Sequence, residues 1–133
     1  MKRRFLIVDD DERFAELVSL KLGEFGSCDV ATGGEDALEI FERRLKEKSP
    51  FDAVFMDIVM PEMDGHEVVR RLRQLEKRYG VNAVKSFKLI MLTAHSDIDN
   101  VGRSFFDSLA DAFLTKSNMQ GGLQSAMRDA RLI

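Results

Sequence analysis

Four short apolar runs, Phe5-Leu6-Ile7-Val8, Ala53-Val54-Phe55-Met56, Leu89-Ile90-Met91-Leu92 and Ala112-Phe113-Leu114, each pass directly into polar residues. The first meets Asp9-Asp10-Asp11-Glu12, the second Asp57, the third Thr93 and the fourth Thr115-Lys116. An apolar run without alternation fits a strand covered on both faces, as in a parallel sheet held between helix layers. Between these runs, apolar residues recur at helical spacing: Phe14, Leu17, Val18, Leu22 and Phe25; Ala37, Leu38, Phe41 and Leu45; Val68, Val69, Leu72 and Leu75. Two more such stripes follow, Ile98, Val101, Phe105 and Leu109, then Leu123, Ala126, Met127 and Ala130. Cys28 to Thr32 adds a short strand, with Gly26, Ser49-Pro50 and Gly80 as helix stops. Five strand and helix pairs in strict alternation specify an α/β fold, a doubly wound (βα)5 arrangement around a five-stranded parallel sheet.

At 133 residues the chain reads as one domain, 1–133, with enough length for a full core. Its formal charge of -3 argues against direct nucleic-acid binding and against an anionic membrane surface. The start, MKRR and the four apolar residues Phe5 to Val8 before an acidic run, is not a signal peptide, and no segment is long and apolar enough to cross a membrane. With a single cysteine, Cys28, read as a core thiol, a cytoplasmic location is expected. Arg70, Arg71, Arg73, Lys77 and Arg78, interleaved with Glu67 and Glu76, read as the solvated face of a helix. The connection from Val81 to Ser86 has no clear form; it is expected at the amino ends of the strands.

In a doubly wound sheet, ligands bind beyond the carboxyl ends of the strands, at the point where strand order reverses. If the order is 2-1-3-4-5, the first and third strands are neighbours there, and Asp9, Asp10 and Asp57 share one crevice. Two carboxylates about 4 Å apart repel by roughly 4 kcal/mol at an effective dielectric of about 20, so the cluster calls for a cation. Oxygen ligands of this kind suit Mg²⁺, which needs only one or two protein carboxylates. No glycine-rich phosphate loop follows the first strand, so a nucleotide is not the expected ligand. A carboxylate nucleophile, a metal, a hydroxyl and an ammonium together can position and neutralise a transferring phosphoryl group.

FLIVDD, MDIVMPEMDG, LIMLTA and FLTK, in this order and spacing, resemble the motifs of the response-regulator receiver domain (CheY-like) of two-component signalling, over essentially the whole chain. The resemblance implies a flavodoxin-like fold and Mg²⁺-dependent acceptance of a phosphoryl group on Asp57 from a histidine kinase or histidine phosphotransfer protein. It implies Asp10 as a direct metal ligand, Asp9 as the second metal-site acid and the main-chain carbonyl of Val59 as a further ligand. Thr93 resembles the switch hydroxyl, Lys116 the cation that holds the phosphoryl group, and Phe113 the switch aromatic. Such a chain catalyses only its own phosphorylation and dephosphorylation and is not otherwise an enzyme. Asp11 and Glu12 remain first-turn acids, and His66 and His95 non-catalytic.

Two departures from the family pattern stand out. Ser117 follows Lys116 where the family usually has proline, which favours a trans bond and leaves Ser117 or Asn118 to cap the last helix. The surplus length lies around Gly80 to Ser86. Two alternatives bear on function: an aspartyl-nucleophile phosphatase of the haloacid dehalogenase type, using the acids at 9 to 11, and a pseudo-receiver that only docks partners. Phe105 and Phe106 lie about 100° apart on a helix, so one stripe cannot bury both, and the resemblance, which implies output through the fourth helix, fifth strand and fifth helix, assigns Phe106 to a docking surface. Val59 and His95 resemble the two positions that flank the phosphoryl site in receivers, and since neither has a carboxylate or amide to align a water, a long-lived phosphorylated form is expected.

Overall fold

The computed structural model describes residues 3–57, 64–93 and 110–133. Its elements run β1 (Arg3–Val8), α1 (Glu12–Leu22), β2 (Gly26–Ala31), α2 (Gly34–Lys46), β3 (Ala53–Asp57), α3 (Gly65–Arg78), β4 (Lys88–Thr93), β5 (Ala112–Thr115), a 3-10 turn (Lys116–Asn118) and α4 (Met119–Asp129). The five strands are parallel, as the apolar runs imply, and their order is β2-β1-β3-β4-β5, the one that the family resemblance implies.

Side-chain alternation sends each central strand to two cores at once. Leu6, Val8, Val54, Met56, Leu89 and Met91 face α2 and α3, where they meet Phe41, Leu45, Val68 and Leu72. Phe5, Ile7, Phe55, Ile90 and Leu92 face α1 and α4, against Ala15, Val18, Leu22, Leu123 and Met127. The same parity, extended to the strand ends, decides where the polar residues go. Asp9 continues Phe5 and Ile7, Asp57 continues Phe55, and Lys116 continues Ala112 and Leu114, so all three emerge on the α1 and α4 side.

Several local expectations are corrected. The buried line of α1 is Ala15, Val18 and Leu22, while Leu17, about 100° from Val18 around the helix, is 43% exposed. α1 ends at Leu22, capped by Gly23, and Gly26 opens β2 instead of closing the helix. Gly26 pairs in register with Arg3, and a Cβ there would lie 2.1 Å from the Arg3 carbonyl oxygen. Glycine is required by this close approach of two backbones. Gly26→Ala should lower stability by about 2 kcal/mol, the usual scale for forced overpacking, as read by urea denaturation; an unchanged midpoint would mean that the β1 and β2 ends separate freely.

Arg73 and Glu76 are also not a solvated pair. Glu76 is buried, and its carboxylate accepts from Arg73 Nη1 (3.1 Å), the Ser86 hydroxyl and the Phe87 main-chain N–H (2.9 Å). The Arg73 guanidinium donates to the Phe87 carbonyl at 2.8 Å and lies 3.7 Å from the centroid of its ring. The connection after α3 is thereby pinned to the helix and delivers Phe87 into the core, edge-on to Phe41. It does lie at the amino ends of the strands. Gly80 ends the α3 turn with φ of 74°, a value that favours glycine.

Candidate functional site

The carboxyl edge of the sheet gathers the polar residues. Asp9 and Asp57 are neighbours because β1 pairs with β3, Val8 lying opposite Met56. Both are nearly fully buried, whereas Asp10 is exposed. One oxygen from each of Asp9, Asp10 and Asp57 can be chosen so that all lie within 4.8 Å of one another. Asp9 Oδ1 accepts the main-chain N–H of Asp11 at 2.9 Å, which fixes the rotamer of the buried acid. Asp11 is occupied elsewhere: as the N-cap of α1 it accepts from the N–H groups of Arg13 and Phe14. Its role is to start the helix that covers this side of the sheet.

Lys116 enters from β5. Its Nζ lies 2.9 Å from Asp9 Oδ2 and 3.5 Å from Asp57 Oδ2, and 4.8 Å from the centroid of the Phe14 ring. Burial presses the pKa of this amine down, but the neighbouring carboxylates of Asp9 and Asp57 together outweigh it, and the net direction is upward. The ammonium is therefore charged throughout the neutral range. Its approach to Asp9 Oδ2 meets the distance of an ion pair but not the direction of a hydrogen bond, so that buried oxygen has no hydrogen-bond partner. A divalent cation fits this donor set, three carboxylates with oxygen ligands only.

Lys116 reaches the acids without a cis bond, for the Lys116–Ser117 peptide is trans. A 3-10 turn over Lys116–Asn118 leads into α4. Asn118 occupies the N-cap position of α4 but forms no capping hydrogen bond; its side-chain amide instead packs over Gly122, where a Cβ would come within 3.0 Å. The expected cap is thus replaced by a turn and a glycine contact. Thr93, fully buried, ends β4 in register with Thr115 of β5. Phe113 is partly buried against the α2 and α3 core. Val59, His95, Phe105 and Phe106 lie outside the described residues.

Phe14 is the site residue that sequence reading assigned only to the core. It is one helical turn from the acids, but the chain gives no sign that it will sit beneath an ammonium more than a hundred residues later. Cys28, half-buried, donates to the Ser19 carbonyl, and burial pushes its thiol pKa up, the direction of an unreactive cysteine.

The response regulator receiver domain family matches residues 5–128. The chain belongs to that family. Receiver domains serve two-component signalling, which removes the haloacid dehalogenase alternative. The chain is 34% identical over 125 residues to histidine kinase CKI1 of Arabidopsis thaliana, covering 86% of this chain and 11% of the kinase. It is 32% identical over 117 residues to the regulatory protein VanRB of Enterococcus faecalis, covering 87% and 46% respectively. The receiver domain of CKI1, in a crystal structure complexed with Mg²⁺ and BeF3⁻, superposes with a TM-score of 0.77 at 32% identity, over 97% of this chain and 89% of that one. The receiver fold thus spans about a tenth of the first of these relatives and just under half of the second. Among the described residues no helix is long and apolar enough to cross a membrane.

Proposed function

We propose that this receiver domain accepts a phosphoryl group on Asp57 from a phosphohistidine of a histidine kinase or phosphotransfer protein, with Mg²⁺ as cofactor. The observation that carries the reading is the placement of the Asp57 carboxylate between two further acids and the ammonium of Lys116 at 3.5 Å. Asp9, Asp10 and Asp57 would hold Mg²⁺, which when bound neutralises charge on the phosphoryl oxygens. A carboxylate oxygen of Asp57 forms the new O–P bond as the P–N bond to the donor imidazole breaks, and the electron pair leaves with the imidazole. Lys116 supplies a fixed positive charge to the transferring group. Thr93, at the end of the neighbouring strand, would meet the phosphoryl group through its hydroxyl and couple it to Phe113. Water returns the carboxylate and inorganic phosphate, so the chain turns over nothing but its own modification.

Incubation with acetyl phosphate and Mg²⁺ should raise the intact mass by one phosphoryl group, and omission of Mg²⁺ should suppress the gain. The absence of any gain under both conditions would replace this reading with a docking-only receiver. Asp10→Asn should keep the fold, since its side chain is exposed, yet weaken Mg²⁺ binding. Removing one charge about 4 Å from a divalent ion costs about 2 kcal/mol even at the dielectric of water, or roughly thirtyfold in affinity. Calorimetric titration with MgCl₂ measures this, and an unchanged affinity would remove Asp10 from the metal site.

A further inference from the structure

At the opposite edge of the sheet from the acids, a cavity of about 370 Å³ is lined by Arg3, Arg4, Lys85, Lys88 and Arg131, with Asp52 the one acid among its lining residues. Four separate segments contribute these cations: the start of β1, the connection after α3, the start of β4 and the turn after α4. Such convergence is unexpected in a chain of net charge -3. Elsewhere arginines find carboxylates, as in Arg44 with Asp29, Arg73 with Glu76 and Arg70 with Glu67. Among the described residues none of the five cavity cations forms an ion pair.

Asp52 brings one negative charge against five positive ones, and it is held to the backbone. Its Oδ2 accepts the Arg4 N–H at 2.8 Å, its own N–H donates to the Arg4 carbonyl, and its carbonyl accepts the Lys88 N–H at 2.9 Å. These bonds also fix the cavity floor to three strands. Unpaired like charges around a concave surface focus a positive potential and favour an anion of several charges. The volume lies in the lower part of the range of about 300 to 1,000 Å³ typical of small-ligand sites. Guanidinium groups suit phosphoryl oxygens, which they can meet in pairs.

We propose that this cavity binds a small oligophosphate, a molecule with two or more adjacent phosphoryl groups, at a site separate from Asp57 and independent of its phosphorylation. The test is amide-resolved NMR titration of the whole chain in metal-free buffer with inorganic pyrophosphate, inorganic phosphate and ATP. Pyrophosphate should give saturable shifts at Arg3, Lys88 and Arg131, and phosphate should bind at least tenfold more weakly. Equal affinity for pyrophosphate and ATP would identify the free oligophosphate chemistry as sufficient; tighter ATP binding at the same amides would assign a nucleotide. Lys85→Gln with Arg131→Gln, both at exposed positions outside the strands, should weaken pyrophosphate roughly tenfold through the loss of two charges, whereas Arg43→Gln on α2 should not. The proposal is overturned if shifts are absent from these amides, if phosphate binds as well as pyrophosphate, or if the double variant keeps a native spectrum and full affinity.

Discussion

Asp57→Asn should abolish the phosphoryl mass gain while leaving the protein folded. The amide is a poor nucleophile and cannot form an acyl phosphate, so the loss should be complete and not a slowing of a few fold. Stability is not expected to suffer. The substitution is nearly isosteric, removes one negative charge from a site where three carboxylates lie close together, and leaves Lys116 paired with Asp9 at 2.9 Å. A thermal midpoint equal to or above that of the wild type would therefore accompany the loss of labelling. Labelling of the variant at the wild-type rate would place the acceptor elsewhere.

Glu76→Ala should produce the largest loss of stability among single charge removals in α3. Glu76 is 4% exposed and satisfies three donors, including the main-chain N–H of Phe87. Its removal leaves that N–H without an acceptor and the Arg73 charge without its carboxylate. Breaking a buried ion pair from one side costs about 3 to 5 kcal/mol. Since the Arg73 side chain keeps 31% of its surface in water, about 3 kcal/mol is expected here, at the low end of that range. Glu67→Ala is the matched comparison. Hydrogen bonds from Arg70 and Arg71 hold the Glu67 carboxyl down to about 2, yet the pair lies at the surface, where the Glu67 side chain keeps 35% of its area in water, and its replacement should barely move the denaturation midpoint. Similar midpoint shifts for the two variants would mean that Glu76 does not anchor the connection into β4.

Much of the fold was legible because the strands announce themselves. Runs such as Phe5 to Val8 are apolar on both faces, and only a sheet covered on both sides can use them. Their polar ends then fall on one edge, and parity carries Asp9, Asp57 and Lys116 to one side of it. Side-chain partnerships were less legible. Glu76 falls seven residues after Val69 and four after Leu72, on the buried stripe of α3, so its burial did leave a periodic signal; the interleaved charges around it hid that signal. Gly26 resembled a helix stop because glycine marks both helix ends and close backbone contacts, and only the Arg3 carbonyl beside it separates the two. Leu17 shows the limit of counting apolar residues, since the rotation of α1 is set by the line through Ala15, Val18 and Leu22. Asn118 illustrates a different failure: the residue type suited a cap, but the 3-10 turn placed its amide over Gly122.

The central claim concerns which carboxylate receives the phosphoryl group, and chemical marking of that atom tests it directly. Protein treated with acetyl phosphate and Mg²⁺ can be reduced with borohydride, which converts an aspartyl phosphate to homoserine, and then mapped by tandem mass spectrometry. Homoserine at position 57 alone is the expected result; homoserine at position 9, 10 or 11 would contradict it.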